Sequence, residues 1–190
     1  MGDPLTKLAE KYIVDKCPKY NHHYTPEYYK LLKDKNYNNV VEIGIGYPEL
    51  MKRYTSDNYE SGASLRMWRD FFNASVVGID IRDIQLNEPS INTYVCDQSD
   101  KEALEDLFSR IPNPDIIIDD GSHLIEHQIF SFKVLWKYVQ DMYIIEDINK
   151  NNFQRIYSQC QSFHNCRILQ GYIHPDENQG FIAFKKEYLD

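Results

Sequence analysis

Two short runs hold the residue types that do chemistry: Asp119-Asp120-Gly121-Ser122-His123 and Glu146-Asp147. Each follows an apolar stretch, Ile116-Ile117-Ile118 and Met142 to Ile145, and residues of helical spacing lie between them (Ile125, Ile129, Phe132, Leu135, Trp136, Val139). Uninterrupted apolar runs suit strands buried on both faces, and a glycine between acids and a histidine marks a tight turn. Two strands joined by one helix run parallel, so both acidic ends fall on one edge of the sheet. That carboxyl edge is where open α/β sheets bind ligands. Asp120, Glu146 and Asp147 offer hard oxygen ligands, which suit Mg²⁺ or Ca²⁺ better than zinc. Neighbouring strands lie about 4.8 Å apart, so carboxylates at adjacent strand ends reach one ion. Mutual repulsion among the acids calls for a cation. The plainer alternative is that they cap helices and sit solvated.

His123-Leu124-Ile125-Glu126-His127 also fits the H-x-x-E-H pattern of zinc peptidases. Against that reading, two acids and a turn precede His123, which places it at a helix start above a buried strand, and no third ligand helix follows. His127 then reads as a residue behind the site or a hydrogen-bonded histidine at the core's edge.

The elements that must position these groups begin upstream. Residues 4–14 have helical spacing. Residues 15–26, DKCPKYNHHYTP, read as a polar, aromatic surface loop or as the wall of a pocket, with His22 and His23 as candidate lining residues. Thr25 reads as an N-cap and Pro26 as the first residue of a helix running to about Lys33. Asn39 to Ile45 is the first core strand, carries Glu42 and ends in Gly44-x-Gly46, where the backbone can approach a ligand. A lone GxG is a weak signal. Residues 47–61 form a polar loop or lid, and Ser61 to Ser64 cap a helix that buries Leu65, Trp68 and Phe72. Val76 to Ile81 is a second strand with Asp80 near its end, placed to accept the hydroxyls of a ribose or simply to cap the strand. Ile91 to Cys96 is a third, followed by Asp97 and Gln98, which face an adenine edge or cap the helix over 101–110. Arg167 to His174 and Gly180 to Lys186 alternate as a closing hairpin.

At 190 residues the chain reads as one domain, with 1–35 an N-terminal helical cap and 36–190 the core. Its net charge of −8 disfavours a nucleic-acid partner. The start lacks a signal pattern and no apolar run approaches a membrane span, so a cytoplasmic protein without membrane contact is expected. Four unpaired cysteines read as reduced thiols with no metal role.

The blocks DKCPKYNHHYTPEYY, EIGIG, SGASLRMWRDFF, VVGIDI, CDQSD, DIIIDDGSHLIEHQIFSF and YIIED occur in one order along nearly the whole chain. In them the chain resembles the class I S-adenosylmethionine-dependent methyltransferases, and more narrowly the macrocin and mycinamicin sugar O-methyltransferases. It departs from that pattern at Gln140-Asp141-Met142, where a glycine pair is usual, and a short member without the extra N-terminal domain of the larger ones is expected. The resemblance implies a single-domain, Rossmann-like α/β fold, with a seven-stranded, mostly parallel sheet of order 3-2-1-4-5-7-6 and helices on both faces. It implies S-adenosylmethionine across the first three strand ends, held by Glu42, Gly44, Gly46, Asp80, Asp97 and Gln98. Ser64 and Asp119 would lie beside it, with Lys16 and Tyr24 closing the methionine end. It further implies Mg²⁺ on Asp120, Glu146 and Asp147, holding two hydroxyls of a sugar or glycoside acceptor, with His123 as general base. A homo-oligomer is expected on the same ground. A sugar amine N-methyltransferase and a non-catalytic cofactor-binding protein are the alternatives. A nicotinamide cofactor is disfavoured because G-x-G-x-x-G is incomplete.

Overall fold

The computed structural model describes residues 2–188. In chain order the elements are α1 (Pro4–Tyr12), α2 (Tyr24–Leu32), β1 (Asn39–Ile43), α3 (Pro48–Met51), α4 (Ala63–Phe72), β2 (Ser75–Asp80) and β3 (Ile91–Val95). Then follow α5 (Lys101–Arg110), β4 (Ile116–Asp119), α6 (Ile125–Leu135), β5 (Met142–Asn149), α7 (Phe153–Gln161), β6 (Cys166–Ile173) and β7 (Gln179–Lys186). The strands form one sheet of order β3-β2-β1-β4-β5-β7-β6. The first five pair in parallel, and β7 runs antiparallel to both β5 and β6.

Alternation along the buried strands sorts the core into two halves. Val40, Val76, Ile116, Ile118, Met142, Ile144, Phe181 and Ala183 pack with α1, α2 and α4. Val41, Ile43, Ile79, Ile117, Tyr143, Ile145, Ile182 and Phe184 pack with α5, α6 and α7 on the other face. The period of two that separates the halves governs which way each acidic side chain points at the strand ends.

Residues 15–26 follow the pocket-wall alternative and not the surface loop: Lys16, Cys17, Tyr24 and Thr25 are 1% exposed or less. The structure departs from expectation in three places. α2 starts at Tyr24, with His23 at the N-cap making no side-chain hydrogen bond and the Lys16 carbonyl accepting the Tyr24 and Thr25 amides at 3.0 Å. The Thr25 hydroxyl instead shares a buried hydrogen bond of 2.9 Å with that of Thr6, which ties α2 to α1. The 47–61 segment contains the short α3. Finally, α7 arises from a polar sequence that buries only Ile156 and Cys160, too thin a stripe to reveal a helix by periodicity. No helix of the described residues is long and apolar enough to cross a membrane.

Candidate active site

The glycine turn after β1 and the acidic turn after β4 interlock on the carboxyl edge. The Asp120 amide donates to the Ile43 carbonyl at 2.9 Å and the Gly44 amide to the Ile79 carbonyl at 2.7 Å. Gly44 has φ +94°, and a Cβ there would strike the Asp120 carbonyl oxygen. Next to it, Asp80 accepts the backbone N–H of Ile45 at 3.0 Å and of Arg82 at 2.9 Å. Gln98 accepts the Ser122 N–H at 2.6 Å and donates to Asp119 at 3.0 Å. Asp97 receives the Ser99 amide and hydroxyl, which hold its carboxyl below the usual range. These residues surround a cavity of about 560 Å³, with Gly44, Gly46, Asp80, Asp97 and Gln98 along one wall and Asp120, His123 and Asp147 at another.

Asp120, His123 and Asp147 present ligand atoms within 4.8 Å of one another. Two left-handed backbone positions turn them together: φ is +56° at His123, and +52° at Asp147 within a bulge of β5. His123 Nε2 lies 3.1 Å from Asp120 and Nδ1 lies 3.3 Å from Asp147. Burial would lower the imidazole pKa. The hydrogen bond and charge of Asp120, with the charge of Asp147, outweigh it and push the group up to about 9. Held between two carboxylates, the His123 ring is favoured in its charged form.

Behind this mouth lies a buried ionic network that the sequence did not reveal. The Lys16 ammonium, on a side chain 1% exposed, bonds Asp120 and lies 2.6 Å from Glu146 and 3.5 Å from Glu42. Burial opposes its charge, but Asp120, Glu146 and Glu42 raise its pKa well above the usual value. Glu42 accepts the Ser64 hydroxyl at 2.6 Å and the Trp68 indole at 3.3 Å, and burial lifts its carboxyl to about 7 against the pull of Lys16. Glu146 accepts the Tyr28 hydroxyl at 2.8 Å, and burial drives its pKa up. The Tyr24 hydroxyl donates to Asp147 at 2.7 Å. Asp119 turns to the opposite face, bonded by Ser131 at 2.5 Å and Tyr143 at 3.1 Å, and burial raises its pKa despite them.

Of the residues expected at the cofactor, Gly44, Gly46, Asp80, Asp97 and Gln98 line the cavity. Lys16, Tyr24, Glu42, Ser64 and Asp119 do not line it; Lys16, Tyr24 and Asp119 bond residues that do, and Glu42 and Ser64 lie behind Lys16. Of the three expected metal ligands, Asp120 and Asp147 converge, with His123 in the place expected for Glu146. Asp15, Asn21 and His22 also line the cavity. Burial lifts the Asp15 carboxyl to about 6. The concentration of Lys, His and Tyr in residues 15–24 was the available signal for this wall. The peptidase pattern does not assemble: His123 precedes α6, and His127 Nδ1 faces the Ser122 hydroxyl at 3.0 Å.

Strand order, the interlocked glycine and acid turns, and the cavity across them define a class I methyltransferase fold. No family model matches the chain. Among curated proteins it is 37% identical over 155 residues to demethylmacrocin O-methyltransferase of Streptomyces fradiae, covering 76% of this chain and 36% of the relative. It is 36% identical over 155 residues to mycinamicin VI 2''-O-methyltransferase of Micromonospora griseorubida, with the same coverage. Among solved structures, the MycE methyltransferase of mycinamycin biosynthesis in complex with Mg, SAH and mycinamycin VI aligns with TM-score 0.74 and 26% identity. That alignment covers 97% of this chain and 54% of the other. The chain is a homologue of the macrocin- and mycinamicin-type sugar O-methyltransferases. It spans 36% of the length of these two curated relatives.

Proposed function

We propose that this protein transfers a methyl group from S-adenosylmethionine to a hydroxyl of a sugar or glycoside, with Mg²⁺ at the site. The observation that carries the reading is the meeting of Asp120, His123 and Asp147 at the mouth of a cavity whose other wall has the glycine turn and Asp80. The carboxylate oxygens of Asp120 and Asp147 are hard donors suited to Mg²⁺. Bound there, the ion would polarise and orient two adjacent hydroxyls of the acceptor. Glu146 would join as a third ligand only by releasing Lys16, which now neutralises it. With the ion taking over the charge of Asp120 and Asp147, His123 would release its own proton to solvent and then take the acceptor's, giving up one of its carboxylate contacts to the incoming hydroxyl. The glycine turn and Asp80 would hold the cofactor so that its methyl faces that oxygen, and positioning supplies much of the rate. A cytoplasmic setting and self-association complete the reading, the second from resemblance alone.

The test is a methyl-transfer screen over nucleotide sugars and glycosides with Mg²⁺, read by mass spectrometry. Transfer that disappears on chelation supports the assignment, and transfer undiminished in excess chelator sinks the metal's part in it. Calorimetry with S-adenosylhomocysteine and NAD checks the cofactor separately, and binding of NAD alone would overturn the methyltransferase.

A further inference from the structure

A second convergence of metal-ligating side chains lies where the loop between β6 and β7 meets the segment leading into α2. His23 Nδ1 is 2.6 Å from Glu177 Oε1, and His174 Nδ1 is 3.2 Å from the same oxygen. One ligand atom from each of the three falls within 4.8 Å of the others. The two imidazole rings stack with centroids 4.2 Å apart and planes 14° from parallel. The other Glu177 oxygen faces His22 Nδ1 at 3.0 Å. Hydrogen bonding to Glu177 accounts for His22 and His23. It does not account for His174, whose Nδ1 is buried and, although close to Glu177, makes no hydrogen bond of good geometry among the described residues. A buried polar atom without a partner is costly and rare in folded proteins.

We propose that His23, His174 and Glu177 bind one zinc ion. Two imidazoles with a carboxylate form a set that zinc favours and magnesium does not, so this site and the oxygen-rich centre at Asp120 and Asp147 would sort the two metals by ligand type. Zinc–nitrogen bonds of about 2.0–2.1 Å require the three groups to draw together. His23, with a side chain 42% exposed, has room to turn and unstack. His22 would orient Glu177 from behind, as groups hydrogen-bonded to metal ligands commonly do. Solvent would take the fourth position on the exposed side. The ion would fasten the hairpin loop to the segment carrying Lys16, His22 and Tyr24, which itself braces Asp120, Glu146 and Asp147. Its role is to hold the wall of the cavity, independently of the transfer step.

The test titrates the metal-stripped full chain with Zn²⁺ in saturating Mg²⁺, reading bound zinc by native mass spectrometry and the thermal midpoint in parallel. One equivalent is expected, with a midpoint that rises with zinc and falls on chelation. The equivalent should persist when Asp120→Ala and Asp147→Ala are combined. It should weaken in His174→Ala and in Glu177→Gln by at least the roughly 10–100-fold that loss of an outer-shell partner costs. Should His174→Ala fail to fold, His23→Asn at the more exposed ligand takes its place with the same expected loss. No bound zinc, or zinc that disappears with the Asp120 and Asp147 substitutions and survives those at His174 and Glu177, overturns the proposal. Neither result touches the methyltransferase assignment.

Discussion

His123 carries the sharpest chemical consequence of the site. An imidazole held between Asp120 and Asp147 retains its proton to about pH 9, so it is a poor base until something cationic shares those carboxylates. A divalent ion at the same carboxylates repels the imidazolium and must lower its pKa. Nitrogen-15 NMR titration of the metal-free protein should therefore place His123 near 9, and saturating Mg²⁺ should move it downward; a value unchanged by the ion argues against a shared site. The same shift links to folding. The stabilisation from the charged ring is fully present below its unfolded value of about 6.5 and is lost as pH rises through the folded value. His123→Ala should lower turnover by roughly two to four powers of ten while S-adenosylhomocysteine still binds, and His127→Ala should do much less. An active His123→Ala enzyme would remove the histidine from the mechanism.

At the scale of elements, the acids at the sheet edge are divided by strand alternation. Glu42 and Glu146 point to the face covered by α1, α2 and α4, and Asp119 points to that of α5 to α7. The bulge in β5 gives Asp147 a third direction, toward the cavity. Lys16 is the counter-ion for the inward pair. Lys16→Met leaves buried carboxylates without a cation and should cost about 3–5 kcal/mol of folding stability in urea denaturation at neutral pH. Without the ammonium those carboxyls titrate higher, so acidification protonates them and should narrow the gap to wild type. A gap that widens on mild acidification contradicts the assignment of Lys16. Gly44→Ala meets both an unfavourable φ and the Asp120 carbonyl, and should lose at least about 1 kcal/mol together with S-adenosylhomocysteine affinity by calorimetry. Equal stability and affinity would show the interlock to be slack.

Across the whole molecule, the residues lining the cavity come from different parts of the chain. The ends of β1, β2 and β3 and the turns after them supply Gly44, Asp80 and Asp97, whereas Asp120 and His123 come from the turn after β4 and Asp147 from β5. Cofactor binding and metal binding should therefore separate. Asp120→Ala combined with Asp147→Ala should abolish transfer as chelation does, yet change S-adenosylhomocysteine affinity only a few-fold in calorimetry. Joint loss of both would mean that the two sets of residues act as one unit through the interlocked Gly44 and Asp120 turns. The N-terminal segment spans this division: Lys16 and Tyr24 brace the acidic end, and His22 joins the wall.

Apolar runs and glycine turns already marked the seven strands and the edge on which the chemistry gathers, and the resemblance carried by the blocks implied their order in the sheet. The strand ends are local features that follow from simple connection rules, and Gly44, Gly46, Asp80, Asp97 and Gln98 sit at them. Tertiary structure decided the rest. Whether an acid at a strand end faces the ligand depends on pleat parity and on the left-handed residues at His123 and Asp147, neither of which composition encodes. Whether Lys16 meets cofactor or carboxylate depends on a contact with residues more than a hundred positions away. The helix α7 was illegible because two buried residues make no stripe. The segment 15–26 stayed open between loop and pocket wall because its polar side chains are buried by pairing, and pairing partners appear only when the chain is folded.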